Sequence, residues 1–232
     1  MISPVLPVVG FDTETTGVAV ARDRIVTAAL VWRDADAAVR ERTWLLRPDI
    51  DIPARATAIH GITTDYARTN GQDPAVALED IATAIAADAG RPLVAFNAPF
   101  DLGILEAELR RAGLATLTER LGRPVGPILD PLVIDRGIWR FRRGKRTLVA
   151  VADAYDALAA GEFHDALGDV RATIATLDAM LASPQATEAG IHTMTPAELH
   201  AWQVTAHRQW AEEFNRWLRS QGRTPDAPTT WP

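Results

Sequence analysis

Three β-rich runs open the chain, and their order limits the folds that the rest of it can adopt. The runs cover Val5 to Asp12, Arg24 to Trp32 and Val39 to Leu46, with short polar turns between them. Neighbouring runs joined in this way predict an antiparallel meander. Further along, apolar runs alternate with helical patterns, which is typical of βα units. The sequence therefore predicts an α/β fold, with a mixed sheet of three antiparallel strands followed by βα units and with helices packed on the sheet.

The later elements carry local start and stop signals. Asp73 before Pro74 predicts the start of a helix and Gly90 its end, and Pro99 and Pro131 begin two others. We expect strands at 91–97 and 126–130, a short helical piece at 53–63, and helices at 73–90, 99–113, from 131, 147–155 and 165–182. The last of these is strongly amphipathic.

The composition changes after residue 182, which predicts four regions. Residues 1–182 form the main domain, 183–195 a linker, 196–220 a helix rich in tryptophan, and 221–232 a disordered tail. Thr195 to Glu198 form a capping box with Pro196 at the first helical position. One side of this helix carries mostly aromatic residues: Leu199, Trp202, Ala206, Trp210, Phe214 and Trp217. We expect the helix to dock on the main domain; the alternative is that it binds a partner protein or a second copy of the chain.

Composition excludes several kinds of site. The 232 residues include no cysteine, which excludes disulfides, thiol catalysis and zinc–thiolate centres and fits a reducing cytoplasm. The first residues lack a basic segment, and no apolar run is long enough to span a bilayer, so we expect neither a signal peptide nor a membrane protein. The net charge of −6 argues against a protein that coats nucleic acid, although an enzyme could hold one strand end through bound cations.

Two carboxylates follow the first apolar strand. The segment "GFDTETTG" places Asp12 and Glu14 two residues apart, so they share one side of the strand at a separation of roughly 6.5–7 Å. The preceding "VVGF" is apolar, and unpaired charge at the end of a buried strand is costly. Two further acids have suggestive positions: Asp101 in the first turn of a helix that follows a strand, and Asp169 five residues after His164.

These four acids predict a site for divalent cations. Carboxylates gathered at one edge of a sheet raise one another's pKa values unless cations neutralise them. Oxygen ligands suit Mg²⁺ or Mn²⁺, and two such ions about 3.5–4 Å apart support in-line displacement at phosphorus. A histidine beside the cluster, here His164, can accept the proton of the attacking water.

Three segments resemble the exonuclease motifs of the DEDDh 3′→5′ exonucleases, in particular those of the proofreading epsilon subunit of bacterial DNA polymerase III and its stand-alone relatives. The segments are "FDTETTG", "FNAPFD" and "HDALGD", in that order, and "HGIT" at 60–63 also matches. The resemblance spans about residues 5 to 182. It implies a ribonuclease H-like fold and the release of nucleoside 5′-monophosphates from the 3′ end of a single strand, with two Mg²⁺ or Mn²⁺ ions.

The resemblance also implies individual roles. Asp12 would bridge both ions, Glu14 and Asp169 would hold the ion that activates water, Asp101 would support the second ion, and His164 would be the general base. Four residues would lie near the 3′-terminal nucleotide: Thr15, Thr16, His60 and Phe100, the last wedging or stacking against a base.

A basic segment, "WRFRRGKR" at 139–146, is the remaining candidate for substrate contact. Arg142, Arg143 and Lys145 could bind phosphates of the incoming strand. The alternative is a solvated charge run with no binding role.

Two other functions compete with the exonuclease hypothesis. A haloacid-dehalogenase-type phosphatase requires a second aspartate where Glu14 stands, and a lysine near the phosphate; the single lysine, Lys145, lies in the basic segment. A non-catalytic interaction module would be signalled by a missing acid, and none is missing. The resemblance favours DNA as substrate, with an RNA-directed oligoribonuclease- or RNase T-like activity as the alternative, and leaves open a homodimer or a polymerase or repair partner.

Overall fold

A computed structural model describes residues 5–157 and 165–232. Its centre is a five-stranded sheet in the order β3-β2-β1-β4-β5. The strands are β1 Val8–Thr15, β2 Ile25–Arg33, β3 Val39–Leu45, β4 Leu93–Val94 and β5 Ile128–Leu129. The first three pair antiparallel, whereas β4 pairs parallel with β1 and β5 parallel with β4. The predicted mixed sheet is therefore confirmed, with β1 at its centre.

Ten α-helices and a short 3₁₀ turn occur in the described part of the chain. The helices are α1 Ala54–His60, α2 Thr64–Asn70, α3 Pro74–Ala87, α4 Ala98–Arg111, α5 Leu117–Leu121, α6 Pro131–Ile138, α7 Leu148–Ala154, α8 Ala166–Leu181, α9 Pro184–Glu188 and α10 Pro196–Ser220, with the 3₁₀ turn at Ile191–Thr193. None of the described helices has the length and apolarity needed to cross a membrane.

The predicted starts of α3, α6 and α10 agree with the structure because each of these helices has a local side-chain cap. Asp73 accepts hydrogen bonds from the backbone of Ala75 and Val76, and Thr195 and Glu198 form the predicted capping box. The first of these helices ends at Ala87 rather than at Gly90. Three short helices, α2, α5 and α9, were not predicted, since five to seven residues carry too little periodicity to be recognised.

Helices cover both faces of the sheet, and the alternation of side chains along β1 decides which core each residue joins. Val9 and Phe11 pack with residues of α3 and α4 on one face. Val8 packs with residues of α6, α7 and α8 on the other. Gly10 also faces α8, where an added Cβ would lie 2.4 Å from Cγ1 of Val170. The glycine therefore allows α8 to lie directly against the central strand.

The C-terminal helix α10 docks on the main domain, as expected. Two residues of α10 contact edge strand β5: the Gln203 amide donates to the Ile128 carbonyl at 3.0 Å and accepts from the Asp130 N–H at 2.7 Å, and Nδ1 of His200 accepts from the Ile128 N–H at 3.2 Å. These side chains thus satisfy backbone groups at the open edge of the sheet, which a further strand would otherwise bind. The buried face differs from the predicted aromatic one, since it consists of Leu199, Gln203, His207, Ala211, Asn215 and Leu218.

The aromatic residues of α10 lie beside that buried face. Trp202 packs against Gly137 of α6, where an added Cβ would lie 2.3 Å from the indole. Trp210, Phe214 and Trp217 stack on one another with ring centroids 5.4 and 5.6 Å apart, and Trp217 is 49% exposed. Polar residues make the inner contact, and their hydrogen-bond partners lie in distant segments of the chain. A hydrophobic pattern therefore does not predict this face.

Two expectations for the C-terminal region need correction. The segment 183–195, predicted as a linker, forms α9 and the 3₁₀ turn, and it buries Ala186 and Ile191 completely. The tail at 221–232, predicted to be disordered, packs against α10 and the core. The boundary of the main domain at residue 182 stays a prediction.

The tail is held by hydrogen bonds to polar side chains of α10 and by one tryptophan. His207 lies 2.9 Å from the Pro228 carbonyl, and Asn215 makes two hydrogen bonds with the backbone of Ala227. Trp231 is only 5% exposed and joins the core that covers α3 and α4. A composition rich in proline and threonine predicted disorder because it cannot show that a single aromatic residue fills a distant pocket.

We predict that Trp231→Ala lowers the free energy of unfolding by about 3 kcal/mol, since it empties a buried aromatic site. For a chain of this length that corresponds to a thermal midpoint lower by roughly 6–12 °C, measurable by circular dichroism. Trp217→Ala, at the half-exposed site on α10, is the matched control and should cost less than about 1 kcal/mol. Equal midpoints for the two variants would contradict the buried position of the tail.

Candidate active site

Three of the four predicted acids meet in one cluster. Asp12 and Glu14 project from the end of β1 toward α8, on the side that also contains Gly10, and Asp169 lies in the first turn of α8. One carboxylate oxygen from each of the three lies within 4.8 Å of the others. The cluster forms because the missing side chain at Gly10 lets α8 approach the strand. Three convergent carboxylates form a donor set that suits Mg²⁺ or Mn²⁺.

The helix that carries Asp169 is fixed at its start by a neighbouring acid. Asp165 is the N-cap of α8, and its carboxylate accepts a hydrogen bond of 2.8 Å from the Gly168 N–H. Asp165 therefore has a structural role in the site. An N-cap fixes the first turn of a helix, which is the turn that presents Asp169 to β1.

The fourth acid, Asp101, is buried beside the cluster and is held by Thr13. It lies in the first turn of α4 and is 3% exposed. Its Oδ1 accepts hydrogen bonds from the backbone N–H of Thr13 at 3.0 Å and from the Thr13 hydroxyl at 2.6 Å. Thr13 lies between Asp12 and Glu14 and therefore points to the opposite face of the strand. The role of Thr13 was not predicted, although the alternation of side chains along a strand indicates that it points away from Asp12 and Glu14.

A fifth acid, Asp130, positions the start of α4. Its carboxylate accepts hydrogen bonds of 3.0 Å from the backbone N–H groups of Asn97 and Ala98, and it also caps α6 through Leu132. Asn97 has a left-handed backbone conformation with φ of 63° and makes no side-chain cap of its own. These two bonds at the start of α4 span 33 and 32 residues along the chain, so no local pattern reveals them.

Burial and the repulsion between neighbouring carboxylates raise the pKa values of three acids of the site. Burial, and then the charges of Asp101, Asp169 and Glu14, raise the pKa of Asp12 well above its ordinary value. Burial, followed by the Asp169 charge, raises the pKa of Glu14 to about 7. Burial also raises the pKa of Asp101 to about 7, although the bonds from Thr13 oppose it. Bound cations would offset this repulsion, so the residues fit a divalent-metal centre.

The four residues predicted to lie near the terminal nucleotide differ in burial and in hydrogen bonding. Thr16 is completely buried, and its hydroxyl bonds Asp23 and the Arg24 N–H at 3.0 Å each. Its side chain therefore holds the loop after β1, and its hydroxyl is already hydrogen-bonded within the protein. Thr15 donates to the Gly17 carbonyl at 2.7 Å. The predicted contacts of these residues with substrate stay predictions.

His60 and Phe100 lie at the ends of two helices. His60 is the last residue of α1, and its Nδ1 accepts a hydrogen bond of 3.1 Å from the Ile62 N–H. Burial lowers the pKa of His60, which favours the neutral ring at pH 7. Phe100 lies in the first turn of α4, half-buried against the core. His164, the predicted general base, lies outside the described residues, so its role also stays a prediction.

The basic segment is organised by a buried aspartate. Asp135, which is completely buried, accepts hydrogen bonds from Arg142, Arg146 and the Tyr155 hydroxyl. The Arg142 side chain is only 7% exposed in this ion pair. Arg142 points inward and neutralises Asp135, and its predicted contact with substrate stays a prediction. Arg143 and Lys145 are exposed, and their predicted phosphate contacts stay predictions.

Comparison with known proteins gives one family match. Residues 9–177 match the family model RNase_T, described as Exonuclease. This range contains the four acids and ends before α10.

Two curated relatives and one solved structure extend the comparison. The DNA polymerase III subunit epsilon of Treponema pallidum is 36% identical over 99 residues, which are 43% of this chain and 44% of the relative. The DNA polymerase III subunit epsilon-like protein of Rhodobacter capsulatus is 34% identical over 182 residues, 76% of this chain and 23% of the relative. E. coli Exonuclease I in complex with a 5cy-dA13 oligonucleotide has a TM-score of 0.66 at 20% identity, over 88% of this chain and 43% of that one.

The chain thus spans less than half the length of these three proteins. The structural similarity shows the fold, a mixed sheet with flanking helices of the ribonuclease H-like type.

We predict that Glu14→Gln stabilises the metal-free protein at high pH. Because the folded-state pKa of Glu14 is about 7 against an ordinary value of 4.5, the folded state binds more protons than the unfolded state between these pH values. Wild-type stability in EDTA therefore falls as pH rises through that window. After allowance for solvent screening, the variant should be about 1–2 kcal/mol more stable at pH 8 and equal to wild type below pH 4.5.

The measurement is thermal unfolding at both pH values with EDTA or with Mg²⁺. Glu188→Gln, at an exposed position on α9, is the control and should change neither midpoint. Added Mg²⁺ should raise the midpoint of wild type more than that of Glu14→Gln. A variant no more stable than wild type at pH 8 in EDTA would show that the carboxylates do not repel one another.

Proposed function

Because the chain belongs to the RNase_T exonuclease family, we propose that it is a DEDDh-type 3′→5′ exonuclease that releases nucleoside 5′-monophosphates from single-stranded DNA. The observation that carries the proposal is the convergence of Asp12, Glu14 and Asp169 within 4.8 Å, with buried Asp101 beside them. The family match supports exonuclease activity. The 3′→5′ direction, the DEDDh subtype and the DNA substrate are proposed.

The acids of the site are proposed to hold two Mg²⁺ or Mn²⁺ ions. Asp12, Glu14 and Asp169 offer convergent oxygens, and Asp101 would complete the set from the opposite side of β1. When bound, such ions activate water and stabilise the charge that develops at phosphorus. The chain itself fixes the acids before any ion binds, since Thr13 holds Asp101, Asp165 fixes the first turn of α8, and Asp130 fixes the start of α4.

His164 is proposed as the general base because the segment "HDALGD" places it five residues before Asp169. A neutral imidazole accepts a proton near pH 7, whereas the carboxylates of the site are committed to cations. Phe100, in the first turn of α4 next to Asp101, is proposed to stack on the terminal base. Thr15 and His60 would line the same end of the strand.

DNA is favoured over RNA by the relatives alone. Both curated relatives are named for DNA polymerase III, and the E. coli Exonuclease I structure contains a deoxyadenylate oligonucleotide. An RNA-directed activity remains the alternative, and the assay below compares the two polymers. By the same comparison we propose a polymerase or repair protein as partner and the cytoplasm as location; a homodimer gains no support.

We predict that the protein shortens 5′-labelled oligonucleotides from the 3′ end in the presence of Mg²⁺ or Mn²⁺. The assay compares single-stranded DNA and RNA of one sequence and resolves the products on a denaturing gel. Asp12→Asn or Asp169→Asn should reduce the rate by more than the roughly 10–100-fold that loss of an outer-shell group costs. EDTA should abolish the reaction.

Asp178→Asn is the matched control, because this aspartate lies on α8 but pairs with Arg33 away from the cluster. It should retain nearly full activity. Immediate release of the labelled nucleotide would instead indicate attack from the 5′ end. If folded protein with either metal shortens neither polymer, the proposed reaction is wrong; faster cleavage of RNA would overturn only the choice of DNA.

The exposed part of the basic segment is proposed to contact strand phosphates. We predict that replacing Arg143 and Lys145 together by alanine raises KM for an oligonucleotide, leaves kcat unchanged and reduces the salt dependence of kcat/KM by about one to two charges. Arg219, in the last turn of α10, and Arg223, just after the helix, are both exposed and provide a matched double variant with no expected effect. An unchanged salt dependence in the first variant would show that Arg143 and Lys145 face solvent and do not contact the strand. Arg142 is left intact because its loss would unpair Asp135.

A further inference from the structure

Arg136, on α6, is an exception among the arginines. Half-buried arginines elsewhere in the described ranges are all ion-paired: Arg24, Arg33, Arg91, Arg120, Arg142 and Arg146. Arg136 is also half-buried, yet it forms neither a hydrogen bond nor an ion pair with any described residue. Charges removed from water are normally paired, so an unpaired guanidinium in such a place indicates a missing anion.

The guanidinium is held in place by an aromatic ring. Its central carbon lies 3.8 Å from the ring centroid of Trp210 on α10, and Phe214 stacks on the same indole. This contact fixes the plane of the guanidinium but uses none of its N–H donors. Asp130 and Asp135 attract the charge only from beyond ion-pair distance. Burial lowers the pKa of Arg136, although an arginine remains charged at neutral pH.

Arg136 lines a cleft of about 380 Å³ between α6 and α10. Its wall includes Arg136, Arg140, Trp202, Thr205, Gln209 and Trp210. Arg140 pairs with Glu213 at the same cleft, so this pair leaves Arg136 as the uncompensated charge. The cleft therefore combines a fixed cation, two indoles and two polar side chains at a volume that suits a small ligand.

We propose that this cleft binds the phosphate group of a nucleotide through Arg136. A planar guanidinium presents paired N–H donors that match phosphate oxygens, while the indoles offer apolar surface for the nucleoside. The phosphate can belong to a free nucleoside monophosphate or to an internal position of a strand, since both present the same anionic oxygens. The site is separate from the carboxylate cluster, because its residues come from α6 and the turn after it, from α10 and from Ala189 after α9, and none comes from β1 or α8. It does not depend on the proposed exonuclease activity.

The test is isothermal titration calorimetry of the full chain in EDTA, so that no metal-dependent binding or cleavage contributes. The probes are inorganic phosphate, thymidine 5′-monophosphate and a thymidylate oligonucleotide. We expect wild type to bind at least one of the two nucleotide probes and Arg136→Gln to bind it about tenfold or more weakly, as expected for loss of charged hydrogen bonds. Arg136→Lys keeps the charge but not the planar donors and should give an intermediate loss.

Two further variants protect the test against misfolding and non-specific charge effects. Thr205→Glu places a negative charge at an exposed cleft position without disturbing the contact between Arg136 and Trp210, and it should also weaken binding. Arg216→Gln removes an exposed cation of α10 outside the cleft and should bind like wild type. Binding of the monophosphate identifies a free-nucleotide site, and binding of the oligonucleotide alone identifies a strand contact.

Three outcomes would overturn the proposal. The first is the absence of binding of either nucleotide probe at millimolar concentration. The second is equal affinity of wild type and Arg136→Gln, and the third is equal weakening by Arg216→Gln. Because the measurement uses neither metal nor cleavage, it tests this site even if the protein does not hydrolyse nucleic acid.

Discussion

The close approach of α8 to the central strand determines the site. At Gly10 the two elements touch where any side chain would collide with Val170. Since Asp12 and Glu14 follow at alternate positions on the same face of β1, the approach carries Asp169 to both of them. A larger residue at position 10 would move the helix outward and separate the ligands. One missing Cβ therefore brings Asp169, which is distant in sequence, to the neighbouring acids Asp12 and Glu14.

Gathering these acids is unfavourable, and the surrounding structure shows how the arrangement is maintained. Burial and mutual repulsion raise the pKa values of Asp12, Glu14 and Asp101. Hydrogen bonds from Thr13 lower the cost for Asp101 alone, whereas the other acids have their positions fixed by the strand and by the start of α8. The fold thus holds the site in a strained electrostatic state that cations would relieve, which is common where stability is exchanged for function.

The C-terminal helix is connected to this site although it lies outside the family match at 9–177. Gln203 completes the edge of β5 and accepts a hydrogen bond from the Asp130 N–H. The Asp130 carboxylate in turn accepts from the N–H groups that begin α4, three residues before Asp101. Trp231 fills the core on the α4 side of the sheet. The extension therefore supports the element that presents Asp101, and the same helix forms one wall of the cleft at Arg136.

Features with local causes can be predicted from the amino-acid sequence alone. Element order, the antiparallel meander, the caps at Asp73 and Thr195, and the pairing of Asp12 with Glu14 all follow from neighbouring residues and from the two-residue period of a strand. Tertiary structure decided the features whose partners are distant in sequence. Arg142 turned inward because Asp135 is buried, and a tail that looked disordered is anchored by Trp231. Long-range hydrogen bonds and packing depend on which surfaces meet, and no local pattern encodes that.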